Sequence, residues 1–235
     1  MHGAAMTADP VLIYKLLRKR FGFQDWWPGD TPLEVFVGAI LTQQTSWKNV
    51  ERAIANIKEA GLMRFDRLSG IGLSRMERLV RPSGFYRQKA KRLRDILRCI
   101  RRDYGSLEGF MALDALELRE RLLEFSGIGN ETADSIVLYA AEKPTFVIDS
   151  YTKRIMHRVD PSIDEDIAYD ALKGYFESRI DRDLTLYQDF HAQFVELGKR
   201  FCRKREPVCA DCPLRITCSF GSARLHGHGA DAATS

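Results

Sequence analysis

Four of the five cysteines in this 235-residue chain lie within seventeen residues near its C-terminus. Their spacing is Cys202-x6-Cys209-x2-Cys212-x5-Cys218. In a reducing compartment, cysteines clustered in this way are typical of a metal centre rather than of disulfides. A zinc site with four thiolate ligands usually has two Cys-x2-Cys pairs, whereas only one such pair occurs here. The wide first gap therefore favours a larger iron–sulfur cluster with a ligand at each corner, and zinc is the alternative.

The rest of the chain shows helical periodicity almost throughout and hardly any alternating, strand-like run. Three helix starts are indicated by a capping residue followed three positions later by glutamate, in the segments 31–34, 74–77 and 114–117. Gly61 and Gly105 are typical helix stops. The sequence therefore predicts an all-α fold. The expected helices lie near residues 9–21, 31–41, 46–60, 74–80, 85–104, 114–125, 130–141, 149–158, 164–179 and 183–199.

Composition excludes several classes of protein. Hydrophobic residues make up 45% of the chain and charged residues 29%, which is ordinary for a globular protein and unlike a disordered or collagen-like chain. The apolar stretch 35–41 is far shorter than the ~18 residues of a membrane span, and residues 1–10 lack the plan of a signal peptide. We expect a cytoplasmic protein with no membrane partner. The small, polar segment 221–235 is expected to be a disordered tail.

The net charge of +4 is modest, but the charges are unevenly distributed. Residues 87–102 contain eight basic side chains and one acidic one, and residues 199–205 add five basic side chains. Residues 160–183 contain eight acidic and three basic side chains. A charged run is often only a solvated helix face, but two basic stretches and an acidic one indicate a polarised surface that favours an anionic partner.

The segment LEFSGIGNETA, residues 123–133, is typical of two helices joined by a tight turn. Gly127 and Gly129 allow the backbone to turn sharply and to approach a ligand closely. Ile128 would be the apolar residue that ties the two helices together. The free N–H groups at the helix start, Asn130, would form an anion site able to hold a DNA phosphate without reading sequence. A plain interhelical turn is the alternative.

Asp149 follows the apolar run 145–148 and precedes a basic helix. An aspartate in this place is explained by helix capping, because its oxygen can accept hydrogen bonds from free N–H groups. The helix N-terminus would also keep the carboxylate ionised at neutral pH, so a chemical role is compatible with capping.

The order of hairpin, aspartate and four-cysteine loop resembles the endonuclease III (helix–hairpin–helix/Gly-Pro-Asp) superfamily of DNA glycosylases, from about residue 26 to 218. The resemblance implies a [4Fe–4S] cluster on the four cysteines. It implies a six-helix domain at 31–143 that contains the helix–hairpin–helix. A helical iron–sulfur domain would comprise residues 1–30 plus 144–220, with a DNA-binding cleft between the two domains. The partner would be double-stranded DNA with a damaged base flipped out of the duplex, bound by a monomer.

The same resemblance assigns the essential aspartate of the family to Asp149. A carboxylate can stabilise the oxocarbenium character that develops when an N-glycosidic bond breaks, or orient the attacking water. Lyases of the family carry a lysine two residues after the second hairpin glycine, where this chain has Glu131. Glutamate cannot form an imine, so we expect a monofunctional glycosylase with Glu131 in the base pocket. Lys143 and Lys153 are other amines nearby.

Residues around the pocket indicate the substrate. Gln44, with Gln43 as second choice, matches the position of the family residue that fills the gap left by the flipped base. Trp26, Trp27 and Trp47 resemble the aromatic residues that sandwich the base in endonuclease III-like 3-methyladenine DNA glycosylases, one of which lacks the iron–sulfur loop. A cationic alkylpurine would gain cation–π attraction there and is already a good leaving group. We therefore expect action on alkylated purines of the 3-methyladenine type.

Other functions remain as alternatives at this stage. The alternative enzymes are a glycosylase for oxidised pyrimidines, with or without AP-lyase activity, and a glycosylase for mismatched or deaminated bases. The alternatives that are not enzymes are a non-catalytic DNA-binding iron–sulfur protein and a zinc-stabilised helical scaffold.

Overall fold

A computed structural model describes residues 8–24, 26 and 29–227. All regular secondary structure within these residues is helical, which confirms the all-α prediction. The helices are α1 (Pro10–Phe21), α2 (Pro32–Leu41), α3 (Trp47–Glu59), α4 (Phe65–Leu68), α5 (Leu73–Val80), α6 (Tyr86–Tyr104), α7 (Leu107–Met111), α8 (Ala115–Leu123), α9 (Asn130–Ser135), α10 (Ser150–Val159), α11 (Tyr169–Glu177), α12 (Leu184–Arg200) and α13 (Ser219–Gly227). A 3₁₀ turn, Arg81–Ser83, follows α5, and a π-helical turn, Ile136–Ala140, continues α9.

The capping residues decide where most of these helices begin. Thr31 Oγ1 accepts a hydrogen bond from the Glu34 backbone N–H at 3.2 Å, and Asp114 caps α8 in the same way. The cap predicted at Ser74 is wrong. The helix α5 begins one residue earlier, at Leu73, because the extended Gly72 serves as its N-cap and leaves Ser74 inside the first turn.

Three short helices and one boundary depart from the prediction. Helices α4, α7 and α13 were not expected, since segments of four to nine residues carry little periodic signal. The helix expected from residue 164 begins at Tyr169, because Asp164 instead accepts a bond from the Asp166 N–H, a local turn that competes with helix. The expectation of a disordered tail from residue 221 is wrong for 221–227, which belong to α13, and residues 228–235 lie outside the described part.

The chain forms two compact units. The first, here called the hairpin unit, is Trp27–Thr145, and its core is built around α2, in which Phe36, Val37 and Ile40 are fully buried. The second, the cysteine unit, combines Met1–Trp26 with Phe146–Ser235. No helix in the described residues is both long and apolar enough to cross a bilayer.

Aromatic side chains fill the core of the cysteine unit. Phe190 and Phe194, one turn apart on α12, stack at 4.8 Å, and Phe146 stacks on Phe176 at 4.4 Å. Phe176 also meets Phe190 edge to face at 5.6 Å. Each ring buries a large apolar area, so these contacts fix α11 and α12 against the extended segment that leads to α10.

A buried carboxylate joins the N-terminal segment to this core. Asp189 of α12 is fully buried and accepts hydrogen bonds from Tyr14 Oη and the Gln24 N–H, both at 2.7 Å. Arg18 Nε lies 3.1 Å from the same carboxylate, and Gln193 donates to it at 3.1 Å. Burial, together with the bond to Asp189, raises the pKa of Tyr14 to about 12. Asp189 thus holds α1 and the residues leading to Trp26 on α12.

We expect Asp189→Ala to lower the free energy of unfolding by about 3 kcal/mol, because it leaves Arg18 and several donors without their shared acceptor. Urea denaturation followed by circular dichroism measures this. The control is Glu196→Gln, which removes the half-exposed ion pair with Arg200 on the same helix and should cost no more than about 0.5 kcal/mol. Equal losses in the two variants would contradict the role given to Asp189.

Candidate functional site

Asp149 is the N-cap of α10. Its Oδ1 accepts hydrogen bonds from the Thr152 N–H at 2.7 Å and the Thr152 hydroxyl at 2.9 Å, which confirms the capping interpretation. The side chain is buried, with 8% of its surface exposed. Capping occupies one oxygen, so Oδ2 is available for other contacts.

His191 faces that second oxygen. Its Nε2 lies 3.7 Å from Asp149 Oδ2, and both side chains are buried. Burial acts to raise the pKa of Asp149, but His191 and the bonds from Thr152 act in the opposite direction and leave that pKa below its usual value. The carboxylate is therefore ionised at neutral pH. No sequence pattern pointed to His191, because it lies in the middle of an amphipathic helix without a motif.

Close packing of α10 on α12 brings these two residues together. Gly198 of α12 lies against the Tyr151 ring of α10, and a Cβ at position 198 would overlap that ring. The absence of a side chain at Gly198 thus allows the two helices to approach closely enough for His191 to reach Asp149.

Trp26 also contacts His191. The two rings are 5.6 Å apart between centroids and meet edge to face at 61°. The exposed Lys199 places its Nζ 5.8 Å from the Trp26 ring centroid. His191 therefore contacts both Asp149 and Trp26, and all three residues belong to the cysteine unit. Trp27, predicted for the same pocket, lies outside the described residues.

Trp47 belongs to the hairpin unit and begins α3. Its indole is half-buried against α2, where a Cβ added to Gly38 would lie 3.2 Å from the ring. Glycine at position 38 thus allows the indole to lie close to the α2 backbone, and the ring nitrogen Nε1 is buried.

The Gly-x-Gly segment forms a turn between α8 and α9. Gly127 has φ +84°, a left-handed conformation that favours glycine. Gly129 is the extended N-cap of α9. Ile128 is buried, with 6% of its surface exposed, and its N–H donates to the Phe125 carbonyl at 3.0 Å. The turn therefore leaves both glycines exposed and anchors itself through the isoleucine, as the sequence predicted.

Gln43 and Gln44 have different environments. Gln43 Nε2 donates to the Gly127 carbonyl at 2.9 Å and to Thr132 Oγ1 at 3.0 Å, and its Oε1 accepts from Arg92. Gln44 is exposed and has a left-handed backbone, with φ +53°. Gln43 is thus tied to the glycine turn, whereas Gln44 is presented to solvent.

Besides His191, the structure adds two residues of the hairpin unit to the candidate site. Arg92 of α6 donates to the Ser126 carbonyl at 3.2 Å, and its guanidinium lies where a Cβ at Gly127 would be. Phe85, just before α6, is 62% exposed and has φ +45°. An aromatic side chain in a polar turn is normally interpreted as core, and only the structure shows that this one projects outward.

The four clustered cysteines line one cavity with apolar walls, which include Phe201 and Val208. Burial raises the pKa of Cys212 to about 11 and acts in the same direction on Cys218. Arg158 donates to Cys202 Sγ at 3.3 Å and to the Arg203 carbonyl at 2.7 Å.

The donor set of this cavity is four thiols, which is the set that a [4Fe–4S] cluster takes, with one thiolate at each corner. In the described residues, no group of three histidine, cysteine, aspartate or glutamate side chains is arranged to hold a metal ion. A [4Fe–4S] cluster held by Cys202, Cys209, Cys212 and Cys218 would crosslink the loop between α12 and α13. Cys99, expected in the core, is only half-buried.

One of the two candidate amines for a lyase reaction, Lys153, is engaged in a hydrogen bond. Glu131 is exposed in the first turn of α9. Lys153 is half-buried, and its Nζ donates to the Ile167 carbonyl at 2.7 Å. A lysine that already serves as a hydrogen-bond donor in a folded loop is a poor nucleophile.

Comparison with known proteins gives one family. A model described as HhH-GPD superfamily base excision DNA repair protein matches residues 37–179. A protein of Methanocaldococcus jannaschii, provisionally named a DNA repair glycosylase, is 46% identical over 208 residues, 88% of this chain and 94% of its own. Endonuclease III of Thermotoga maritima is 28% identical over 198 residues, 83% and 86% of the two chains.

Solved structures agree with this result. The 3-methyladenine DNA glycosylase of H. pylori bound to 1,N6-ethenoadenine is 32% identical, with a TM-score of 0.73, and the match covers 82% of this chain and 98% of that one. A non-covalent endonuclease III–DNA complex shares the fold, with a TM-score of 0.78 at 20% identity. The match covers 94% of this chain and 100% of that one.

We expect the purified protein to be brown and to contain about four iron atoms per chain. Cys212→Ser should lose most of the visible absorbance and iron, because one corner of the cluster loses its ligand. Absorbance spectra and iron analysis measure both. Cys99→Ser is the control and should keep its iron, since Cys99 lies in the other unit. A colourless protein with one zinc ion per chain would overturn the cluster assignment.

Proposed function

The chain belongs to the HhH-GPD superfamily of base excision DNA repair proteins, and from this premise we propose that it is a monofunctional DNA N-glycosylase for alkylated purines of the 3-methyladenine type. The observation that carries the proposal is that His191 contacts both Asp149 and Trp26. One side chain thus links an ionised, buried carboxylate to an aromatic ring. A flipped base that stacks on the indole would have its sugar near the carboxylate.

Asp149 supplies the electrostatic part of the reaction. When the C1′–N bond breaks, its electron pair leaves with the base and positive charge develops on the sugar. A carboxylate held ionised by Thr152 and His191 stabilises that charge without having to reorganise. Water then adds to C1′, its proton is released, and an abasic site remains.

The surroundings of Trp26 support an alkylated purine. A methylated purine such as 3-methyladenine is cationic and leaves as a neutral base, so it needs little help from a general acid. The face of an indole attracts cations, and Lys199 already lies over Trp26 at 5.8 Å. Because Lys199 is exposed, a planar cationic base could displace it at small cost. The 32% identity to a 3-methyladenine DNA glycosylase supports the same substrate class.

Glu131 and the engagement of Lys153 support hydrolysis without strand cleavage. Glu131 stands at the position where the lyases of the family have lysine, and Lys153 is engaged by a backbone carbonyl. The reaction therefore ends at an abasic site.

Residues of the hairpin unit would hold the DNA. The exposed turn at Gly127 and Gly129 presents backbone N–H groups to a phosphate, and Arg92 adds a positive charge beside it. Gln44 would fill the gap left by the flipped base, and Phe85, exposed and apolar, would stack on a neighbouring base. One chain carries all these residues, so we propose that a monomer acts on damaged double-stranded DNA.

Asp149→Asn should slow base release at least about a hundredfold, since it removes the negative charge but keeps an oxygen that can accept the bond from Thr152. Single-turnover release from methylated duplex DNA measures the rate. Binding to DNA with an abasic-site analogue should change little. If Asp149→Asn released bases at the normal rate, Asp149 would not be the catalytic carboxylate.

A panel of duplexes tests the substrate. We expect release of 3-methyladenine, strand breaks only after alkaline treatment, and no covalent adduct on borohydride reduction. The panel also contains an oxidised pyrimidine, uracil opposite guanine and thymine opposite guanine. Preferential action on one of these would show that alkylated purines are not the substrate class. A trapped adduct would disprove the monofunctional mechanism. Binding to all duplexes without release of any base would identify a non-catalytic DNA-binding protein.

A further inference from the structure

A buried lysine in the first turn of α6 has no part in the chemistry described above. Lys89 is only 3% exposed. Its Nζ donates to the Leu41 carbonyl at 2.9 Å and to the Ser83 carbonyl at 2.6 Å. Burial, and secondarily the nearby Arg92, lowers the pKa of this amine to about 8. A leucine or methionine would fill the space without that desolvation cost, so the two hydrogen bonds are the distinctive feature of the site.

The two acceptors end the segments that lead to the exposed turns. Leu41 is the last residue of α2 and precedes the turn that presents Gln44. Ser83 ends the 3₁₀ turn and is followed by Gly84 and Phe85. One ammonium group thus joins two segments that are far apart in the sequence.

The backbone of both turns requires such support. Gln44 and Phe85 have φ values of +53° and +45°, in the left-handed region that residues with a Cβ seldom adopt. Strained backbone of this kind persists only where surrounding contacts hold it. Both side chains project into solvent, so their own packing contributes little, and the support has to come from the residues beneath them.

We propose that Lys89 is a positioning residue that fixes the separation of the two turns, so that Gln44 and Phe85 enter a DNA duplex as a pair. The inference rests on the proposed function, because it assumes that these turns contact DNA. Lys89 acts through the two side chains and touches neither the base nor the sugar.

The test replaces Lys89 with methionine, which keeps the bulk of the side chain and removes the donors. Lys58→Met is the matched control. Lys58 lies in the same unit and also contacts two oxygens, those of Asp30 and Glu34, but at the opposite end of α2. Duplexes carry an abasic-site analogue opposite 2-aminopurine, whose fluorescence reports how side chains fill the gap and needs no base release.

We expect Lys89→Met to lose most of the fluorescence change at saturating protein and to slow single-turnover release about tenfold, while Lys58→Met resembles the wild type. Lys89→Arg, which keeps two donors, should recover most of both signals. It also serves as the second variant if Lys89→Met melts below the assay temperature. A wild-type fluorescence change in Lys89→Met, or an equal loss in Lys58→Met, would overturn the proposal.

A second comparison separates positioning from general weakening of the fold. In a Gln44→Ala/Phe85→Ala background, the added Lys89→Met change should slow release less than twofold, because the side chains through which Lys89 acts are already absent. A tenfold loss in that background would show a merely structural role. The three variants could show the expected fluorescence changes while the protein releases no base from any duplex. That result would support Lys89 as a positioning residue and reject the glycosylase function.

Discussion

The candidate site depends on keeping a buried carboxylate ionised. Burial alone would drive Asp149 towards its neutral form, in which it could not stabilise a positive sugar. The helix that it caps opposes this, because Thr152 at the start of α10 donates two hydrogen bonds to one oxygen. His191 meets the other oxygen. Capping usually contributes stability, and in the proposed mechanism it also keeps the carboxylate ionised and fixes its position relative to α10.

Helix α12 connects this carboxylate with Trp26, on which the proposed mechanism stacks the base. The helix carries Asp189, which holds the backbone of Gln24, and His191, which contacts both Asp149 and Trp26. The position of the indole therefore depends on a second buried carboxylate that has no chemical role. Because both contacts come from one rigid helix, a shift of α12 would move the aromatic ring and the partner of Asp149 together.

The sequence predicted the parts of the site that are local in the chain. A cap, a glycine turn and a cysteine spacing each involve residues only a few positions apart, and Thr31, Gly127 and Asp149 have the predicted conformations. His191 and Lys89 could not be predicted in this way. His191 meets Asp149, and Lys89 bonds to Leu41, each more than forty residues away in the chain. A histidine or lysine inside an amphipathic helix looks the same in the sequence whether or not such a partner exists.

In the proposed DNA interface, exposed side chains depend on groups that do not themselves reach the DNA. Gln44 and Phe85 are presented by backbone that is unfavourable for residues with a Cβ. Hydrogen bonds from a buried donor to the preceding carbonyls help to hold such backbone. A lysine suits this task since one ammonium can donate to several carbonyls at once. Burial lowers the pKa of Lys89, and the two hydrogen bonds offset part of the free-energy cost of burying its ammonium group.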